Sequence, residues 1–332
     1  MHKSISGGIA LCAVLLVGCG RWDGEPDPYD LDFEIPRTEE FSAALSDYGL
    51  YEEPMAELQP AERVIPYELS SELFTDYAYK HRLVRVPEGA EITLRDSATL
   101  EFPEGTVLAK TFFYPLDMRD SGASSRIIET RLLVKTAGIW NAATYLWNAD
   151  QTDATLLLEG TTTQVSWIDR AGEPRTTDYV VPHEGECVTC HQLDGRSTFI
   201  GPTVQNLNHT VMRDDGEINQ LAYLHAEGLL ESEDWALTSS VPNYRDESLP
   251  VATRARAYLD INCAHCHNPA GWDEATDRDF DFRYATPLRE TGLQQQRKRV
   301  ADALQRGQMP YLGTTLLHDE GIELVLDYLD SL

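Results

Sequence analysis

The chain has 332 residues, 27 Lys and Arg against 55 Asp and Glu, a net charge of −28 and a hydrophobic fraction of 42%. That charge argues against binding of nucleic acid or of an anionic membrane through the protein surface, since both are polyanions. It suits either electrostatic steering of a basic redox partner or a solubility adaptation, and the apolar fraction is sufficient for ordinary cores in two domains.

Residues 1–18 read as an export signal. Lys3 gives a short positive start, and residues 9–17 are an apolar stretch too short to span a bilayer. Leu16-Val17-Gly18-Cys19 resembles a lipobox, so cleavage before Cys19 and lipidation of that thiol are expected; an ordinary secretory peptide cut nearby is the alternative. Gly20 follows, with no Asp to retain the product at the inner membrane. The expectation is a lipid-anchored protein on the periplasmic side of the outer membrane, or else a soluble periplasmic one. Residues 19–37, rich in Asp, Glu and Pro, read as an acidic tether.

Over 38–80 short helical patterns are expected, with Phe41, Leu45 and Tyr48 on one face and Leu69, Leu73 and Tyr77 on another. From residue 83 the period changes. Strands are predicted over 106–114, 126–135, 139–147, 154–158, 162–168 and 176–181, with no helices alternating between them, so the sheet is expected to be antiparallel. In 126–135, Ile128, Thr130, Leu132 and Val134 share one face and Glu129, Arg131 and Lys135 the other, which predicts a half-buried strand. Tyr67, Trp140, Trp147 and Trp167 are expected to pack this sheet. Helices are predicted over 218–230, 251–262, 293–306 and 320–332. The fold class is therefore α+β: a β-rich domain over 38–200, a helical linker over 201–248 and a small all-α domain over 249–332.

Two five-residue motifs carry the chemistry: Cys187-Val-Thr-Cys190-His191 and Cys263-Ala-His-Cys266-His267. C-x-x-C-H is the attachment pattern of c-type haem. The thiols add to the two vinyl groups, and the adjacent imidazole becomes an axial ligand of the iron. Of the six cysteines, Cys12 and Cys19 lie in the export signal and the other four lie in the motifs, so none remains for a disulfide. The alternatives are a zinc ribbon built from two C-x-x-C hooks and redox-active thiol pairs. Neither calls for a histidine directly after each hook. The expected cofactors are two covalently bound haem c, with His191 and His267 as iron ligands.

Residues 249–332 resemble a class I cytochrome c domain, with a helix into the motif, a loop, a middle helix, Met-Pro and a final helix. The resemblance implies that Met309, in Arg306-Gly-Gln-Met309-Pro310, is the second axial ligand of the second haem, a soft thioether that raises the potential. A methionine that merely packs in the core is the other reading. His265, inside the motif, is expected to be exposed and inert.

The segment from Phe102 to His191 resembles the β-sheet cytochromes called cytochrome c′-beta and their hydroxylamine-oxidising relatives. The likeness rests on Phe102-Pro-Glu-Gly-Thr-Val-Leu-Ala-Lys110, the strand Glu129 to Lys135, Gly138-Ile-Trp140, and Glu186 before a late motif. It implies a first haem lying on an antiparallel sheet, often with an open distal side. Some members cross-link a lysine to haem, which makes Lys110 a candidate; a solvated strand lysine is the ordinary reading. Unlike that family, this chain continues past the motif. Sixth-ligand candidates for the first iron are Met55, Met118, Met212, His81, His183, His209, His225, His265 and His318, of which Met212, His209 and His225 follow the motif most closely. The chain as a whole also resembles a family of exported bacterial dihaem cytochromes. The stretches that carry this are Ile65-Pro-Tyr67 to Tyr77, Asn206-Leu-Asn208, Asn219-Gln-Leu221, and Ala255-Arg-Ala-Tyr258 to Pro269.

Two functions compete at this point. One is a dihaem electron-transfer protein with a redox protein as partner, no nucleic acid, and membrane contact through the lipid anchor alone. The other is a haem enzyme or small-ligand binder for hydroxylamine, nitric oxide or peroxide at an open first haem, with the second haem as relay.

Overall fold

Successive segments rich in β-branched and aromatic residues pair into one antiparallel sheet in the computed structural model of the protein. Its strands are β1 (Ile65–Pro66), β2 (Tyr79–Arg85), β5 (Val107–Pro115), β6 (Ser125–Thr136), β7 (Ile139–Trp147) and β8 (Ala154–Leu157), in that spatial order. A small hairpin, β3 (Thr93–Leu94) with β4 (Leu100–Glu101), falls between β2 and β5 in sequence. The structure describes residues 40–95, 99–120, 122–193, 196–271, 280–310 and 312–332, all within the unit Ile35–Leu332. The export signal, Cys19 and the acidic tether lie outside the described residues. Among the described residues no helix is long and apolar enough to cross a membrane.

The predicted strands all form, but the last two leave the sheet. β9 (Thr161–Ile168) and β10 (Pro174–Val181) make their own antiparallel hairpin. Val165, Trp167, Tyr179 and Val181 pack it onto Phe112, Tyr114 and Ile128 of the sheet. The opposite face buries Leu83, Val107, Ala109, Leu132, Val134, Tyr145 and Trp147 under the segment that contains Leu45, Leu50, Tyr51 and Met55. Both faces are thus covered, so β6 is not half-solvated as its alternation suggested. Glu129 is 0% exposed. Trp147 and Trp167 are buried in these two cores, and Tyr67 and Trp140 are buried in a third, with Val84 and Leu108.

The helical patterns expected before the sheet give way to short 3-10 turns at Leu45–Tyr48 and Met55–Glu57. Residues 69–77 form no helix, because distant side chains take their backbone N–H groups. Asn206 Oδ1 accepts from Ser71 N at 2.8 Å and Asn262 Oδ1 from Phe74 N at 2.8 Å. The 201–248 segment also differs. After α1 (Glu184–Cys190) and a short pair, β11 (Gln192–Leu193) with β12 (Arg196–Ser197), it holds α2 (Val204–Leu207), a hairpin of β13 (Thr210–Arg213) and β14 (Gly216–Asn219), and α3 (Gln220–Ala226). Ile218 therefore belongs to a strand. Asn219 starts α3 by accepting from Leu221 N and Ala222 N. Val204, Leu207, Leu221 and Leu224 cover the end of the sheet that carries Val84, Leu108 and Trp140.

The C-terminal part is helical, with α4 (Val251–Cys263), α5 (Leu293–Gln305) and α6 (Asp319–Asp330). Asp319 and Glu320 in the first turn of α6 match its dipole. Ala257, Leu259, Ile261, Leu293, Leu304, Val325 and Leu329 form the shared core. Helices α4 and α6 approach closely enough that a Cβ on Gly321 would lie 2.4 Å from the Tyr258 ring, so only glycine fits there.

Candidate functional site

Each motif forms one helical turn. In the first, His191 N donates to Cys187 O at 2.8 Å; in the second, His267 N donates to Cys263 O at 2.8 Å. Cysteines three apart and a histidine at the fourth position then share one face. The first turn ends α1, whose N-cap His183 accepts from Gly185 N while Glu186 accepts from His183 N at 2.9 Å. The second turn ends α4. Its exit is fixed by Asn268 Nδ2 donating to Ala264 O at 2.7 Å and by Gly271, where a Cβ would meet Cys266 O at 2.2 Å.

Both faces open on one cavity of about 840 Å³, inside the range of roughly 300–1,000 Å³ usual for cofactor sites. Its walls include all four motif cysteines, His191, His267, His265 and Met309, with Leu133, Phe199, Phe280 and Phe282 as apolar surface. None of the four thiols is in a disulfide. The two motifs also meet each other, since ligand atoms of Cys190, His265 and Cys266 lie within 4.8 Å of one another. His265 is therefore half-buried at the junction of the motifs, not an exposed bystander. The hydrogen bond from Cys266 holds Cys190 well below the usual thiol range, and the same bond pushes Cys266 up. Burial raises Cys263 to about 12.

His191 is set up as a neutral ligand. Its Nδ1 lies 2.9 Å from Thr198 O, and donation there leaves the Nε2 lone pair for a metal. Burial, with Lys110 nearby, lowers its pKa to about 4. His267 lies against Phe282 and Phe280, at ring-centroid distances of 5.4 and 5.9 Å. Met309 packs against the helical core beside the cavity.

The sheet supplies the remaining wall. Along β5 the inward positions are Leu108, Lys110, Phe112 and Tyr114. Leu108 joins the core under α2 and α3, and Phe112 and Tyr114 the core under the β9–β10 hairpin. Lys110 is left between them, facing the cavity. It is half-buried, not a solvated strand lysine, and burial lowers its pKa to about 7. Strand register pairs it with Arg82 on one side and Arg131 on the other. Arg82 is bonded to Glu72 at 2.7 Å and Arg131 to Glu129 at 2.5 Å.

Met55, Met118, Met212, His81, His183, His209 and His225 do not line this cavity, whereas His265 and His318 do. His318 stacks on Phe74 at 4.2 Å with its Nδ1 3.2 Å from Tyr258 OH.

Asp76 is a residue the sequence reading passed over. It is 2% exposed. Its carboxylate accepts from Thr315 N, Thr315 Oγ1 and Leu316 N, each at 2.8 Å, and so ties the chain beyond Met309 to the start of β2. No local pattern marks it, because its partners are more than two hundred residues away. Asp76→Ala should cost about 2 kcal/mol, read as a lower urea midpoint. It should also broaden the Met309 methyl resonance, and an unchanged midpoint would show that the tie is not structural.

Two occupants suit this donor set in chemical type. A structural zinc ion needs four ligands in a tetrahedron. Cys190, His265 and Cys266 provide three, and among the described residues no fourth His, Cys, Asp or Glu joins that cluster. A covalently held porphyrin needs thiol pairs, neutral imidazoles, an apolar wall and cationic groups for its carboxylates; all of these line the cavity. No known family model matches the chain, nor does any curated protein or solved structure.

Proposed function

We propose that the chain is an exported dihaem c-type cytochrome that carries electrons. Cys187 and Cys190 would hold one haem with His191 as ligand. Cys263 and Cys266 would hold the second, with His267 and Met309. The resemblances to β-sheet cytochromes and to class I cytochrome c, and anchoring by lipidated Cys19 on the periplasmic side of the outer membrane, belong to the same proposal. The observation that carries it is the convergence of both Cys-x-x-Cys-His turns and Met309 on one cavity.

Bound haem supplies one-electron chemistry. The chain's residues orient and tune it. Thr198 O fixes the tautomer of His191, Met309 offers a soft sulfur, and Lys110 and Arg131 offer positive charge to carboxylates. The Cys190 and Cys266 sulfurs lie within 4.8 Å of each other, so the two attachment points adjoin and a relay needs no intervening side chain.

Protein matured in cells competent for cytochrome c assembly should be red, with two haems per chain in a denatured haem assay and in the intact mass. A colourless product at bare-polypeptide mass overturns the reading, and one zinc per chain in its place establishes the alternative. Met309→Ala should lower the potential of one haem only; an unmoved titration removes Met309 from the ligand set.

A second reading draws on the sheet side of the first motif. Lys110 and Arg131 face the cavity there, and none of Met212, His209 and His225 reaches it. An iron on His191 with an open side would bind a small ligand, as in a haem enzyme. Carbon monoxide added to the reduced protein separates the two: a spectral change in one haem favours the ligand-binding reading, and no change favours a relay with two six-coordinate irons.

A further inference from the structure

Three motif side chains converge on one point. Ligand atoms of Cys190, His265 and Cys266 all lie within 4.8 Å of one another. They arrive on separate supports: Cys190 ends α1, which packs on β7, whereas His265 and Cys266 follow α4 of the helical core. The two histidines that close the motifs stay out of this group. His191 Nδ1 lies 2.9 Å from Thr198 O, and the His267 ring lies against Phe280 and Phe282. His265 has no part in the haem chemistry above, yet its Nδ1 is buried with no hydrogen-bond partner. In native structures such a group calls for strain, redox chemistry or a bound ion.

The donor types select the occupant. Two thiols and an imidazole suit hard cations poorly, since calcium and magnesium take oxygen ligands. Zinc in a structural site takes four ligands, and an iron–sulfur cluster takes four thiolates. Among the described residues no fourth His, Cys, Asp or Glu joins the three. Cu(I) favours thiolate ligands, and its filled d shell makes no demand for a fourth. Bonds of about 2.0–2.3 Å to one metal hold three trigonal donors roughly 4 Å apart, so the group needs only a small closure to bind.

We propose that, before any haem is attached, the chain binds one Cu(I) ion through Cys190, His265 and Cys266. The copper keeps its oxidation state, and the protons of the two thiols pass to solvent as their sulfurs bind. The site is complete without haem and does not depend on the cytochrome reading. Where haem is attached later, one such ion withholds a thiol from each motif and so blocks both attachments at once.

The test uses the full chain made in cells that lack cytochrome c maturation, kept reduced and free of oxygen. Cu(I) is the probe, delivered as its coloured bicinchoninate complex. The chain should withdraw one copper per molecule, and X-ray absorption should show two sulfurs and one nitrogen on the metal. Cys190→Ser and Cys266→Ser should each lose that copper, and His265→Ala should weaken binding at least about tenfold. Cys187→Ser and Cys263→Ser should each keep it, which also shows that a serine in a motif does not by itself disrupt the site. Two coppers per chain, or loss of copper from Cys187→Ser or Cys263→Ser, would mean that each Cys-x-x-Cys pair binds alone and overturns the proposal. A shell of sulfur only overturns it too, as does zinc that displaces copper at equal concentration. The denatured haem assay on matured protein reads the other proposal separately. Two haems on matured protein, with no copper taken up by the haem-free chain, strike the copper site alone. Copper uptake by a chain that never acquires haem strikes the cytochrome reading alone.

Discussion

Serine at both Cys263 and Cys266 should yield a chain that keeps one covalent haem and loses the other. The serine pair at Cys187 and Cys190 should give the same mass by the opposite loss. The two turns belong to separate supports: α1 lies against the sheet through β7, whereas α4 sits in the helical core with α6. Each should therefore present its thiols without the other. Intact mass reads the number of groups directly. The low-potential and high-potential transitions of a redox titration identify which one has gone, since Met309 adjoins the helical core. Because the Cys190 and Cys266 sulfurs adjoin, the surviving haem should also lose any magnetic interaction seen in the two-haem protein by electron paramagnetic resonance. A variant whose mass equals wild type would refute attachment at the altered pair.

Much of this arrangement is legible along the chain because its signals are local. The alternation of Thr130, Leu132 and Val134 defines most of β6, although a bulge opposite Phe112 and Phe113 turns Ile128 to the other face with Phe112 and Tyr114, and the two Cys-x-x-Cys-His turns need only five residues each. What covers each face of a strand is not local. Lys110 and Arg131 read as solvated positions, yet they face a cavity, because the β9–β10 hairpin and helices α2 and α3 cover the sheet on either side of them. The helical spacing of Leu69, Leu73 and Tyr77 misled for a related reason: Asn206 and Asn262 supply from a distance the acceptors that a helix would supply from within. His265 read as inert beside His267, and only the meeting of two motifs far apart in sequence brings it to Cys190.

The row of cations across the sheet sets the last expected result. Arg82, Lys110 and Arg131 lie directly opposite one another on β2, β5 and β6, an arrangement that like charges oppose. Glu72 answers Arg82 at 2.7 Å. Glu129 answers Arg131 with two bonds, at 2.5 and 2.9 Å, and also accepts the Tyr179 hydroxyl at 2.6 Å. Glu129→Ala strands a guanidinium and a buried hydroxyl together. Removing one partner of a buried pair costs about 3–5 kcal/mol, and the 25% exposure of the Arg131 side chain favours the lower end of that range. The chain made without haem should therefore unfold at a clearly lower urea concentration when Glu129 is replaced by Ala, and Glu129→Gln should fall between the two. The haem-loaded protein should lose less, because carboxylates of the bound group can answer Lys110 and Arg131 in place of Glu129. Equal losses in both forms would show that those carboxylates do not reach the sheet. A loss under about 1 kcal/mol without haem would show that solvent already screens the pair.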